Sequence, residues 1–432
     1  MPDGTVKQIN PYSGTSVWTV PGRGNRPLTA MGLESLPVDQ TQHGRHCAFC
    51  QERYLETPPE KARLVCDPDG WHLLRGLTPD RLTASVAEFR RIPNLFEIVT
   101  YDYWRLNYGY LPGREARDHH DSYLASTKGR EHVESMARAR ALASGMSEWD
   151  WHAMSDADRA ERRMAFFAGT HDVIVGRRHY IDGATTTDQL ASSGTLTPQE
   201  HAQYTSFTVD ALRSLYDTNR YARYVAVFQN WLRPAGASFD HLHKQLVAVD
   251  ERSVRTEHEL SRLRENLNLY NEFAVDYAAR QNLLIAENEH AVAFAGFGHR
   301  YPSVEIYSKG ESGRPWEQST AELHAFSDLL HAVHAATGPT VACNEEWHYQ
   351  PPDVDLPMPW RVVVKWRVST LAGFEGGTKI YLNTIDPWSV RDRVVPRLFQ
   401  LREDGTIVRD LRIATECTCR PNSLRYNPLL RR

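Results

Sequence analysis

One order of elements occurs twice along this chain, and no other feature narrows the fold as far. In the first half, apolar stretches in 89–100 and 172–175 precede a helix start at Thr197-Pro198-Gln199-Glu200. Thr is a good N-cap, Pro suits the first helical position, and Glu three residues on closes a capping box. The helix is expected to run to about Tyr216. A β-rich segment at 224–229, a loop at 230–239 and a strand bearing His241-Leu242-His243-Lys244-Gln245 follow. In the second half, strands at 292–297 and 304–308 precede a helix from Ser319-Thr320-Ala321-Glu322 to about His334. A short strand at 340–343, a proline-rich loop and a long strand at 360–368 complete it. The likeness is one of order, not of identity. Strands and helices without βαβ alternation predict an α+β fold of antiparallel sheets flanked by helices. The expected units are 1–250 and 251–432. A polar insertion at about 101–165, helical around 130–143, interrupts the first. A short strand is expected at 15–20, loop at 47–60, and strand, turn and strand across 89–100. The tail after Asn383 reads as helical or irregular.

Composition narrows what such a fold can carry. A length of 432 residues allows two or three units of about 150 residues. The net charge of −4 gives no overall pull toward nucleic acid or an anionic membrane. No run of about 18 apolar residues predicts a membrane span, and the opening MPDGTVKQIN has no apolar leader core. The 6 cysteines do not form a disulfide framework. A cytoplasmic protein with reduced thiols is the expectation.

The strand at His241 carries the chemistry. Alternate strand residues share a face, so His241, His243 and Gln245 are expected to project together, opposite Leu242 and Lys244. The lead-in holds Asn230, then Gly236, where backbone approaches a ligand closely, and Ser238, which offers a hydroxyl. Backbone N–H groups in such a loop hold phosphate oxygens. A neutral imidazole attacks phosphorus and splits one hard displacement into two easier ones. Its second nitrogen must be bonded to fix the tautomer. A neighbouring Gln donates to phosphoryl oxygens as charge develops, but cannot titrate. His243, Gln245 and Ser238 are therefore the candidate catalytic set, with His243 as nucleophile. Two histidines at i, i+2 also line ordinary strands; the fixed offsets of Asn230, Gly236 and Ser238 favour chemistry. Cys47-x-x-Cys50 supplies half of a four-ligand metal site. The same spacing serves redox chemistry at a helix start, but this pair sits in a proline-rich loop.

Phe228-Gln229-Asn230, Gly236-Ala237-Ser238 and His241-Leu242-His243-Lys244-Gln245 together resemble the active-site signature of galactose-1-phosphate uridylyltransferases. These form the transferase branch of the histidine-triad superfamily. Relatives that hydrolyse carry a third His where this chain has Gln245. The resemblance covers most of the chain. Asn10-Pro11 with Gly14 is similar to the family's opening motif, and Arg23 and Arg26 with Pro27 to its basic phosphate-contacting loop. Cys47-Ala48-Phe49-Cys50 and Thr57-Pro58-Pro59-Glu60 are similar to its zinc loop, and Pro93-Asn94-Leu95-Phe96 to its nucleoside-binding turn. Ala372-Gly373-Phe374-Glu375, Gly377 and Asn383 resemble a C-terminal segment that reaches the partner subunit's site.

The resemblance implies duplicated histidine-triad-like units and a homodimer. It implies transfer of a nucleoside monophosphate from a nucleotide sugar to a sugar phosphate through a nucleotidyl-histidine. Arg23, Arg26, Asn94, Phe96, Asn230, Gly236, Phe374 and Glu375 are the implied substrate contacts. Zinc on Cys47, Cys50, His179 and His241 is the implied metal, with His171 a competing third ligand and His46 next to the pair. A dinucleoside polyphosphate phosphorylase or adenylyltransferase uses the same His, and a non-catalytic nucleotide-binding relative shares the fold. The chain also departs from the family. Where relatives place a metal-binding His pair in the second half, it has Lys365-Trp366-Arg367, so no second metal is expected although His348 and Glu259 are present. Lys365 and Arg367 suit a phosphate, or a salt-bridged face. Ser369 and Tyr381 replace a basic residue and a Gln that handle the sugar phosphate, so the acceptor pocket is expected to differ.

Overall fold

The twice-used order closes into one long sheet in the computed structural model, which describes residues 1–21, 35–42, 44–369, 371–418 and 420–430. The strands are β1 (Val6–Ile9), β2 (Ser16–Thr19), β3 (Ala62–Asp67), β4 (Gly70–Arg75), β5 (Phe89–Pro93), β6 (His171–Gly176), β7 (Tyr224–Trp231) and β8 (His243–Val249). They continue as β9 (Leu284–Glu287), β10 (Ala291–Gly296), β11 (Ser303–Ser308), β12 (Cys343–His348), β13 (Arg361–Trp366), β14 (Ile380–Asn383) and β15 (Arg412–Ile413). The helices are α1 (Tyr101–Tyr108), α2 (Arg114–Leu124), α3 (Thr127–Ala143), α4 (Glu148–Ala153), α5 (Asp156–Ala168) and α6 (Pro198–Thr218). Then come α7 (Val254–Glu265), α8 (Asp276–Arg280), α9 (Thr320–Thr337), α10 (Gly373–Thr378) and α11 (Pro387–Glu403).

The 12-stranded sheet runs β15-β9-β10-β11-β13-β12-β7-β8-β6-β5-β3-β4. At its centre β12 pairs antiparallel with β7, with Asn344 opposite Asn230 and Glu346 opposite Phe228. Outward from this pair the two sides match: β7-β8-β6-β5 on one, β12-β13-β11-β10 on the other. Each side inserts its long helix, α6 or α9, before its central strand. Both helices open on the anticipated capping boxes, Thr197 with Glu200 and Ser319 with Glu322. The expected α+β fold of duplicated units with antiparallel sheets is the one found.

Burial explains which face is left for chemistry. In β7 buried and half-exposed residues alternate, and β12 does the same. The buried set packs under α6 and α9 in the main apolar core. A polar network crosses this covered face. Lys244 Nζ lies 2.6 Å from Glu345 Oε1, and both side chains are fully buried. His334 Nε2 is 2.7 Å from the other Glu345 oxygen, and the Trp347 indole N–H donates to the first. The buried Lys244 ammonium holds the Glu345 carboxyl well below its ordinary range, against burial itself, which raises it. Removing one partner of such a pair strands a charge. We expect Lys244→Met to cost ~3–5 kcal/mol in urea unfolding, and Glu345→Gln in the same chain to restore most of it. A single-mutant loss below ~1 kcal/mol would sink this account.

Several elements differ from expectation. Residues 101–168 are five helices, not a partly helical insertion. Thr100, Ser126, Ser147 and Ser155 cap four of them, and a separate small core of Tyr123, Val133, Met136, Trp151, Phe166 and Phe167 joins them. Across 89–100 there is one strand, β5, and then a turn into α1. The strand expected at 340–343 begins at Cys343 instead and runs to His348. Its alternation pairs Glu345, an interior partner for Lys244, with polar Asn344, Glu346 and His348 on the open face, which hides it from an apolar pattern. A small sheet of β1, β2 and β14 joins the opening segment to the tail. No helix among the described residues is long and apolar enough to cross a membrane.

Candidate active site

β8 begins at His243, so His241 precedes the strand and lies in its approach. His243 and Gln245 do share the face opposite α6, with Phe228 of β7 directly across from Gln245 and Val175 of β6 across from His243. His243 is 4% exposed. Its Nδ1 donates to its own chain's His241 carbonyl at 2.7 Å, which leaves Nε2 with the lone pair. Burial pushes the imidazole down to about 4, while the Nδ1 bond works the other way. The ring is thus neutral at neutral pH. Phe49 packs on it with ring centroids 5.4 Å apart, and Phe239 packs on Phe49 at 4.5 Å. Sequence reasoning missed this apolar wall.

Gln245 is held from the other side. The Ile98 N–H donates to His171 Nδ1 at 3.0 Å, so His171 carries its proton on Nε2 and donates to Gln245 Oε1 at 3.0 Å. Asn94 Nδ2 lies 3.3 Å from the same oxygen. Both neighbours engage the carbonyl end of Gln245, which leaves its NH2 as the donating end. Asn94 also accepts from the Phe96 N–H at 2.8 Å, forming the turn that presents the Phe96 ring, 63% exposed.

The lead-in loop is held at both ends by unusual backbone. Leu232 has φ 66° and Gly236 has φ 91°, and only glycine takes the second without strain. Asn344 Nδ2 donates to Asn230 Oδ1 at 2.7 Å and to the Ala235 carbonyl at 2.8 Å. A residue of the second half thereby fixes the loop that leads to His243. Gly236 and Ser238 are exposed in that loop. Phe374 and Glu375 stand apart, on α10 beside β14, and among the described residues neither hydrogen-bonds to the His243 group. Arg23 and Arg26 lie outside the described residues.

The metal-binding candidates converge. Ligand atoms of Cys47, Cys50, His179 and His241 all lie within 4.8 Å of one another. The thiol sulfurs are 3.9 Å apart, His241 Nδ1 is 3.4 Å from Cys47 Sγ and 3.9 Å from Cys50 Sγ, and the two imidazole Nδ1 atoms are 3.3 Å apart. A small tetrahedral cation with bonds of about 2.0–2.3 Å sets ligand–ligand edges of about 3.3–3.8 Å, and the separations above, 3.3–3.9 Å, lie close to that geometry. His241 Nε2 donates to the Gly176 carbonyl at 2.7 Å, which turns the Nδ1 lone pair toward the cysteines. The Cys47 thiol and then the imidazoles hold the Cys50 sulfur down at about 2, while Cys47, donating to it, is pushed up. His171, the competing third ligand, belongs to Gln245 instead.

Glu259 of the second half is engaged elsewhere. Glu259 lies 2.6 Å from Arg361 and accepts from the Tyr270 hydroxyl at 2.6 Å.

A family profile described as a domain of unknown function, DUF4921, matches residues 1–426. The chain belongs to that family. No curated protein matches it. Among solved structures it is similar to an ADP-glucose phosphorylase from Arabidopsis thaliana with bound ADP-glucose, at TM-score 0.59 and 18% identity over 90% of this chain and 98% of that one. It is also similar to a GalT-like protein from Arabidopsis thaliana, at TM-score 0.57 and 17% identity over 90% of this chain and 98% of that one. This DUF4921 chain therefore shares the GalT-like fold, as the resemblance in its sequence implied.

Proposed function

We propose that this chain is a nucleotidyltransferase acting through a covalent nucleotidyl-histidine on His243. The observation that carries the reading is a buried, neutral imidazole with Nδ1 tied to backbone and Nε2 left to react. The donor is a nucleoside diphosphate sugar. His243 Nε2 attacks its α-phosphorus, a P–N bond forms, and the P–O bond to the sugar phosphate breaks. The sugar phosphate leaves with that oxygen. A phosphate oxygen of a second acceptor then attacks the same phosphorus and the P–N bond breaks. The Gln245 NH2 and Ser238 with the Gly236 backbone bind the phosphates as charge develops. Asn94 and Phe96 hold the nucleoside, the ring by stacking, and Arg23 and Arg26 neutralise phosphate charge. Phe374, nearly half exposed, and Glu375 serve the partner subunit's site in a homodimer. Zinc held by Cys47, Cys50, His179 and His241 would cross-link the 47–50 loop to the approach of β8 and so orient it. Every chemical step above belongs to the chain's own residues.

A second reading, an ADP-linked phosphorylase with inorganic phosphate as acceptor, is favoured by the likeness to ADP-glucose phosphorylase. One experiment tests both. The protein is incubated with α-32P-labelled ADP-glucose or UDP-glucose, and acid-labile protein label is counted. The donor that labels names the base. Release of label as nucleoside diphosphate by inorganic phosphate supports the phosphorylase, and exchange with a hexose 1-phosphate supports the transferase. Absence of label with every donor ends the covalent reading.

A further inference from the structure

The open sheet face continues from Gln245 into a cleft of about 400 Å³ over β7, β12 and β13. Phe228, Asn230, Asn344, Glu346, His348 and Arg367 line it, together with Ser253 and Thr256 at the start of α7. The row is continuous in register: Gln245 faces Phe228, Phe228 faces Glu346. At about 4.8 Å per strand, Glu346 lies roughly 10 Å from Gln245, within the span of a sugar phosphate.

Charged side chains crowd its floor. Lys365 Nζ is 2.5 Å from Glu346 Oε2, and Arg255 lies 4.0 Å from the same oxygen. Arg367 donates to Asn344 Oδ1 at 2.8 Å, which leaves it no acid of its own there, and its guanidinium lies over the Tyr301 ring at 4.6 Å. Lys365 and Arg255 share Glu346 and also face Glu305 and Glu259, so Arg367 is the cation of the three with no carboxylate beside it. Arg255 Nε and Nη2 and Arg367 Nε are buried without a hydrogen-bond partner. Unsatisfied buried donors cost about 1–3 kcal/mol each, more when charged. A helix of 12 residues starts at this rim, capped by Ser253, and its amino end favours an anion.

We propose that this cleft is a binding site for a phosphate-class oxyanion, with Arg367 and Thr256 as its main contacts. Arg367 also supports the His243 loop through Asn344, so filling the cleft and ordering the loop are linked.

Calorimetric titration with inorganic phosphate, and separately with glucose 1-phosphate, tests it in the absence of any nucleotide. The outcome is therefore independent of whether His243 takes up a nucleotidyl group. Wild type is expected to bind at least one of the two, and the tighter names the source of the phosphate. Arg367→Gln is expected to weaken binding ~10–100-fold, the worth of a hydrogen bond to a charged group. Thr256→Val, which removes one rim hydroxyl, is expected to weaken it several-fold and covers the case in which the arginine variant does not fold. Wild type binding neither anion, or both variants binding as tightly as wild type, overturns the site.

Discussion

Replacing His243 by alanine is expected to abolish acid-labile labelling by the nucleotide donor and to cut turnover by at least ~10⁴-fold, the scale seen when a covalent nucleophile is removed. The magnitude follows from the site. His243 Nε2 is the lone pair left free once Nδ1 is bonded to the His241 carbonyl, and Gln245 cannot titrate to replace it. Water cannot inherit the role of a positioned, desolvated imidazole. His243→Gly should recover turnover in added imidazole, and the wild type should show the parallel-line kinetics of a ping-pong reaction. An alanine variant that labels as the wild type does would refute His243 as nucleophile. Labelling that survives while transfer is lost would place His243 in the second step only.

The second large effect is expected on stripping the metal. Purified protein should contain about one zinc per chain, and a chelator should lower Tm. Zinc at 1,000 times its dissociation constant adds ~4 kcal/mol to the native state. At ~2 cal/mol/K per residue, that is about 5 °C for a chain of this length. Cobalt in its place should show thiolate-to-metal charge transfer, and Cys47→Ser should diminish both that absorption and the metal content. His171→Ala should leave the metal in place, because His171 bonds Gln245 and not the cysteines. Metal-free protein from zinc-supplemented growth, with a Tm indifferent to chelator, would contradict the assignment.

The parts of this protein legible in its sequence were those set by neighbours along the chain. Capping boxes at Thr197 and Ser319 act within four residues, and they marked both long helices. The His241 to Gln245 alternation is a property of any strand, and it gave the shared face of His243 and Gln245. The repeated order gave the duplication. Patterns written in polar residues were harder to read. β12 alternates polar with buried, but its interior Glu345 is charged, and Lys244, His334 and Trp347 together make that tolerable.

Tertiary structure alone decided which histidine serves which partner. His171 and His179 are eight positions apart around one strand end, and chain spacing does not separate them. The fold sends His179 round to the cysteine pair and keeps His171 on β6 facing Gln245. It also set Phe49 against His243 and tied Asn344 and Arg367 of the second half to the loop of the first. The Phe49–His243 and Asn344–Asn230 contacts join positions more than a hundred residues apart, where sequence carries no local signal and packing across the sheet sets the distance. The sequence by itself determined the two long helices, the duplication and the strand that carries His243 and Gln245, because these follow from short-range sterics and periodicity. The partners of each site residue were decided by the twelve-stranded sheet.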